Sequence, residues 1–356
     1  MIKDLLYDVE TEIMEDIIAL LKSKEDLDIA AWKADRLAQY GRLTRQVEKI
    51  VERYTEAIRS GASEEIQQAA IDTIKKIEAA VKKLKAAGVD IRDVLPEDMD
   101  PGLKMIIETW ASRASDQINL VMAGLLENAP RVYIDTINRV TLQVVTGAMS
   151  KDEAMARACS EWIENGIPAI TDRKGREWTV ESYADMVIRS NTTRVATDVQ
   201  FQRTEEYGID LIEVSSHAGA RPLCAPYQGK IYSMSGKSKK YPAFSTTSYG
   251  EPAGLFGINC GHWMRPFIEG VSEKVFEPTK DEGKNERMYE ESQKQRRLER
   301  EIRAAKRELD MAKKLGNDTL IANAKRKIQH RTDLMEQFID ETGRKRNYSR
   351  ERVFGG

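Results

Sequence analysis

Apolar residues recur at three- and four-residue steps over most of this 356-residue chain, the spacing of one buried face of an α-helix. Ile2, Leu5, Leu6, Val9, Ile13, Ile17, Leu20 and Leu21 mark a first helix. Trp32, Leu37, Tyr40, Leu43, Val47, Ile50, Val51, Tyr54 and Ile58 mark a second, and Ile66, Ile74, Ile77, Val81 and Leu84 a third that Gly88 stops. Between Val89 and Gly102 the residues Asp90, Asp93, Pro96, Asp98, Asp100 and Pro101 break the pattern and predict a solvated bend or linker. Helix resumes near Leu103, and Pro130 is expected in the first turn of a further helix, where its missing donor does little harm. Ser150 with Glu153 predicts a capping box for a helix that ends near Gly166.

The pattern then changes. Residues 169–178 read as two short extended pieces about a turn at Gly175, a small hairpin. Glu181 to Tyr207 returns to helix and stops at Gly208, and Ile209 to Val214 has the apolar enrichment of a strand. Beyond Pro278, Leu298, Ile302, Ala305, Leu309 and Ala312 form a thin stripe on a heavily charged helix. A break at Gly316-Asn317-Asp318 precedes another helix with Leu320, Ile321, Ala324, Ile328, Met335 and Phe338 on its apolar side. The fold class expected is predominantly α with a small central α+β domain, long N-terminal helices and a C-terminal charged helical hairpin. Three segments follow: a helical region over 1–166 with its bend near 89–102, a mixed domain over 167–278, and a charged, basic helical tail over 279–356.

Composition supports appendages more than a compact enzyme core, because charged residues reach 32% and aromatics 7%. The net charge of -2 conceals an asymmetry: from Lys284 onwards there are 20 Lys and Arg against 13 Asp and Glu, and the remainder carries the opposite excess. Three cysteines make no disulfide framework, and the start does not resemble a signal peptide, so synthesis in a reducing cytoplasm is expected. No apolar run of about 18 residues occurs, which excludes a helical membrane span.

Chemistry concentrates between Ser215 and Gly270. His217, Cys224, Cys260 and His262 are side chains that zinc prefers, although the separations between the first two and the last two are unlike the usual structural zinc spacings. A second reading makes Cys224 and Cys260 small buried side chains and lets the histidines bond to backbone, with Asn259 and Gln228 satisfying loop groups and Gly229 and Gly257 serving tight turns. The spacing favours this second reading, and with it no cofactor. A third makes His217 and His262, with Arg221 nearby, an acid–base pair for phosphodiester cleavage, a nuclease-like site. In the tail, Arg296, Arg300, Arg303 and Arg307 could line one flank of a helix and meet phosphates, or form a solvated face laced with ion pairs from Glu299, Glu301 and Glu308.

His217 with Arg221-Pro222, then Tyr227-Gln228-Gly229-Lys230, then Gly257-Ile258-Asn259-Cys260-Gly261-His262, resembles the signature of the tailed-phage minor capsid protein 2 family, within the wider Mu F-like head-morphogenesis group. Gly175-Arg176-Glu177-Trp178, Ser182-Tyr183-Ala184, Gly208-Ile209-Asp210, Gln293 to Arg300 and Gly343 to Arg352 resemble it in the same order, so the likeness extends over most of the chain. The chain departs from the family at Cys224, Tyr227 and Gly261, where histidine, tryptophan and arginine are expected. The resemblance implies a structural, non-enzymatic protein present in few copies in the phage head interior or connector region. It implies association with the portal and other head proteins through helical parts and a role in head assembly or DNA ejection; contact with packaged DNA through the basic tail is an expectation that rests on the charge of that tail alone.

Overall fold

The structure, a computed structural model, describes residues 2–22 and 27–353. Its helices are α1 (Ile2–Leu21), α2 (Ile29–Ala38), α3 (Tyr40–Ala86), α4 (Pro101–Val145), α5 (Lys151–Asn165), α6 (Val180–Glu206), α7 (Glu282–Leu315) and α8 (Asp318–Thr342). A two-stranded antiparallel sheet pairs β1 (Pro168–Thr171) with β2 (Glu177–Thr179). A second sheet places β3 (Leu211–Val214) between β4 (Ile231–Ser233) and β5 (Met264–Phe267), both antiparallel to it. The expected mainly helical chain with a small mixed centre and a charged α7–α8 pair is what forms. None of the described helices is long and apolar enough to cross a membrane.

The chain condenses into two compact units, each assembled from separated segments. The first contains residues 1–59, 117–185 and 294–356, and the second residues 60–116 and 186–293.

In the first unit α1 buries Ile2, Leu6, Val9, Ile13, Met14, Ile17, Ile18, Leu20 and Leu21. Tyr133 on α4 is fully buried and donates its hydroxyl proton to the Arg36 carbonyl of α2 at 2.7 Å. Leu298 and Ile302 on α7 pack with Met335 and Phe338 on α8, while Ala312 and Leu320 join Ala156 of α5. The capping box at Ser150 and Glu153 forms as the sequence predicts. Pro130 does not start a helix: it lies inside α4. Val121, Leu125, Ala129, Tyr133, Ile137 and Val140 are fully buried on an unbroken helical stripe through that position, and this burial outweighs the backbone bond the proline removes.

The second unit joins the later part of α3, the start of α4 and most of α6. Ile66, Ala70 and Ile74 meet Leu103, Ala111 and Ala114 and also Val195 and Val199. The pattern suggests one helix ending near Ile58 and another beginning near Ile66; instead α3 runs for 47 residues through Gly61. Ala62 is fully buried and bridges the two stripes, which offsets the roughly 1 kcal/mol a helical glycine costs. The first break falls earlier, at Gln39, which separates α2 from α3. The 89–102 bend exists but is less solvated than its composition suggests, because Ile91 is buried with Ile77, Val81, Tyr207 and Ile209. Asp100 ends the bend by accepting the Gly102 and Leu103 amides at 2.8 and 3.2 Å.

Two outcomes test this architecture. A Cβ added at Gly124 of α4 would lie 1.6 Å from the Ala169 carbonyl oxygen. Gly124→Ala should therefore destabilise the protein by about 1–3 kcal/mol in a denaturant titration, although alanine is the better helix former. The second concerns Glu164 on α5, which accepts from Lys327 at 2.7 Å and from Arg331, both on α8. Partial burial pushes its carboxyl up, but the bonds from Arg331 and Lys327 outweigh that and hold it below the usual glutamate range. A carboxyl depressed by folding stabilises the fold above its unfolded pKa, and this stabilisation disappears as pH falls through the folded value. The melting temperature of the wild type should exceed that of Glu164→Gln at neutral pH, with the gap closing below about pH 4. A gap independent of pH would show that the attachment is not ionic.

Candidate functional site

The second unit brings the chemistry-bearing residues of the central stretch to one place. β3 ends at Val214, and the chain passes Ser215 and His217 before a series of turns carries Cys224 inward. The loop before β5 delivers Cys260 and His262. Ser215 and Trp263 clamp the two segments, with the Ser215 amide donating to the Trp263 carbonyl at 2.8 Å and the Trp263 amide donating to the Ser215 hydroxyl at 2.9 Å.

Cys224, Cys260 and His262 are buried, and their sulfurs and a ring nitrogen lie within 4.8 Å of one another. The two sulfurs are 3.9 Å apart, and Cys260 Sγ is 3.3 Å from His262 Nδ1. Both cysteines are free thiols. The proton shared between the sulfurs pushes the Cys224 thiol up and holds Cys260 down. The His217 ring lies over that of His262, with centroids 4.4 Å apart and planes tilted by 31°. His217 is exposed on its outer side, and burial of the rest holds its pKa below the ordinary imidazole value.

Gln228 fixes the tautomer of His262. Its side-chain nitrogen donates to the Thr279 hydroxyl at 2.7 Å, which in turn donates to the Ala225 carbonyl at 3.2 Å. Its oxygen accepts the His217 amide at 3.0 Å and faces His262 Nε2 at 2.9 Å. His262 Nε2 therefore carries the proton, and Nδ1 turns its lone pair toward Cys260. In His217 the Nδ1–H donates to the Ala218 carbonyl at 3.2 Å, which leaves Nε2 as that ring's lone pair.

Arg221 holds the loop that carries Cys260, donating to the Ile258 carbonyl at 2.6 Å and the Gly254 carbonyl at 3.0 Å. Its guanidinium is thus engaged with backbone instead of standing free beside the histidines. Gly229 has a φ of 63° and an added Cβ would lie 2.2 Å from the Glu277 carbonyl, so only glycine fits there. At Gly257 an added Cβ would lie 2.5 Å from the Pro252 carbonyl.

The reading in which both histidines bond to backbone holds for His217 but not for His262, whose partners are the Cys260 and Gln228 side chains. Sequence spacing missed the convergence because the turns between 215 and 229 and between 250 and 260, not the interval along the chain, set where the donors meet.

The tail arginines belong to the first unit and behave differently from one another. Arg307 is buried between Glu10 at 3.3 Å and Glu181 at 3.2 Å, and Arg303 pairs with Glu181 at 2.9 Å. Neither stands free as a phosphate contact, because Arg307 is held by the buried Glu10 and both are held by the partly buried Glu181. Arg300 is exposed and Arg296 half-buried. Sequence inspection missed the Glu10–Arg307 pair; the signal was a carboxylate set within the apolar run of α1.

A model of the family described as phage minor capsid protein 2 matches residues 1–340. A structural protein of Lactococcus phage LL-H is 31% identical over 351 residues, covering 93% of this chain and 90% of that protein. A structural protein of Lactococcus phage mv4 is 34% identical over 118 residues, covering 32% of this chain and 93% of that protein. No solved structure matches the chain. With its family match running through both compact units and the central cluster alike, the chain belongs to the phage minor capsid protein 2 family and is a structural component of the phage particle.

Proposed function

We propose that this capsid protein is a low-copy, non-enzymatic component of the portal vertex that docks on the portal through its helical parts and serves head assembly or DNA delivery. The observation that carries the reading is the family match along residues 1–340, which includes both the helical segments and the central domain. Side-chain chemistry supports it. His262 has both ring nitrogens engaged by protein groups, and Arg221 is bonded to loop carbonyls, so the trio proposed for acid–base cleavage has no free base–cation pair.

The tail favours protein partners over packaged DNA as its main contact. Arg346 pairs with Glu351 and Glu336, Arg350 with Glu299, Lys327 with Glu164 and Glu308, and Arg297 with Glu301. Cations compensated inside the protein release few counterions on meeting phosphate. The first unit also offers an apolar step near the C-terminal end of α4, where Leu142 and Val145 are 65% and 68% exposed.

Sedimentation of particles made with and without the portal gene tests the proposal. The chain should travel with portal-containing heads in a few copies and be missing from portal-less particles; incorporation at wild-type level without the portal would overturn it. Leu142→Glu with Val145→Glu should lower incorporation by about tenfold, the loss of roughly 1.4 kcal/mol of binding. The melting temperature should be unchanged, because both side chains are exposed.

A further inference from the structure

The cluster in the second unit has the dimensions of a metal centre. A tetrahedral zinc ion with Zn–S of about 2.3 Å and Zn–N of about 2.0–2.1 Å separates two sulfur ligands by about 3.8 Å and a sulfur from a nitrogen by about 3.5 Å. The corresponding separations here are 3.9 Å for Cys224 Sγ to Cys260 Sγ and 3.3 Å for Cys260 Sγ to His262 Nδ1.

The surroundings match as well as the edges. His262 presents the unprotonated nitrogen to the sulfurs while its protonated nitrogen is held by Gln228, the outer contact that orients a metal-bound imidazole. Both sulfurs receive N–H donors, Cys260 from the Phe256 amide at 3.2 Å and Cys224 from Arg221 at 3.7 Å. Such donors stabilise thiolates. Two thiolates also balance a divalent cation, so the assembled centre adds no net charge to a core that contains Phe256, Leu255 and Met264.

An independent observation concerns the loop that delivers Cys260. Phe256 and Asn259 are the non-glycine residues with positive φ among the described residues, at 56° and 57°. Each such conformation is strained for a residue with a side chain and persists only where surrounding interactions fix it. A relay of two S–H bonds fits the same spacing, but thiols are weak donors and offer little against that strain.

We infer that Cys224, Cys260 and His262 bind one structural zinc ion through Sγ, Sγ and Nδ1, and that His217 closes the tetrahedron through Nε2. His217 must reorient to do so, since it lies outside the trio of donors already gathered within 4.8 Å; its ring lies against that of His262, and its Nε2 is the lone-pair nitrogen. The ion ties the segment after β3 to the loop before β5. It is a staple for a domain whose sheet has three strands of three or four residues.

The test uses the full chain purified under reducing conditions and analysed for bound metal by mass spectrometry, with cobalt(II) as a spectroscopic replacement. One zinc per chain is expected, and removal by chelator should lower the melting temperature by about 10 °C, the shift for a ligand held far above its dissociation constant. Cobalt should give intense tetrahedral d–d bands and a sulfur-to-cobalt charge-transfer band. Cys260→Ser and His262→Ala should lose the ion, and Cys159→Ala, which alters the buried cysteine of the other unit, should keep one equivalent. Because the ligand variants could fail to fold, Gln228→Ala supplies a milder probe, expected to weaken zinc binding about 10–100-fold. His217→Ala should retain the thiolate band but change the d–d envelope; an unchanged envelope would remove His217 from the ligand set. A chain that takes up no stoichiometric zinc on reconstitution, or whose melting temperature ignores chelator, would overturn the inference, as would a Cys224–Cys260 disulfide in protein isolated from cells with thiols trapped.

Discussion

Buried charge compensation governs the packing of these helices. Glu10 is 2% exposed on a face of α1 otherwise made of Val9, Ile13, Met14 and Ile17, and burial raises its carboxyl above the usual range even though Arg307 opposes the shift. Arg307 Nη1 lies 3.3 Å from Glu10 and Nη2 lies 3.2 Å from Glu181, and the Ile167 amide donates to Glu10 at 2.9 Å. One guanidinium thus joins α1, the start of α6 and α7, whose partners lie 297 and 126 residues away along the chain. A slip of α7 by the one turn that brings Met311 to the place of Arg307 would leave Glu10 buried without a cation, and breaking such a pair costs about 3–5 kcal/mol. Thin apolar stripes on long helices resist that slip far less.

The second unit repeats the device. Arg203 on α6 is fully buried and meets Glu78 of α3 at 3.0 Å, Asp100 at 3.2 Å and Glu206 at 3.0 Å. Asp100 also caps α4, so one carboxylate both starts that helix and balances the cation. Glu213 in the central strand β3 is likewise fully buried: it accepts from Arg265 at 2.7 Å and from the Val275 and Phe276 amides at 2.8 and 2.7 Å. For a structural component of a phage particle, such contacts matter because they fix unique registers in a chain that is one-third charged.

Much of this was legible in the residues. The α1 stripe, the Ser150 capping box, the hairpin about Gly175, the stop at Gly208 and the break between α7 and α8 are local decisions, made by side-chain periodicity, a hydroxyl at a helix start, or a glycine at positive φ. Local rules failed where burial overrode them. The interval between Ile58 and Ile66 reads as a gap between helices and Pro130 as a helix start, yet each lies inside a long helix because the buried stripe continues on either side. Ile91 looked like part of a solvated bend and is instead packed under Tyr207.

The candidate site divides in the same way. The identities of His217, Cys224, Cys260 and His262, the Gln228-Gly229 turn and the family signature are written in the chain itself. Their meeting is not, because a ligand set spread over 46 positions is assembled by turns, by the Ser215–Trp263 clamp and by Arg221 holding the 254–258 loop. The same holds for the tail arginines, which share one helical flank in sequence but separate into paired Arg303 and Arg307 and exposed Arg300. Sequence alone determined the helices, the turns and the kinship, since these depend on neighbours a few residues away. Tertiary structure decided which charges are spent inside the protein and which donors converge, since electrostatic compensation and ligand geometry depend on distances in space that no interval along the chain encodes.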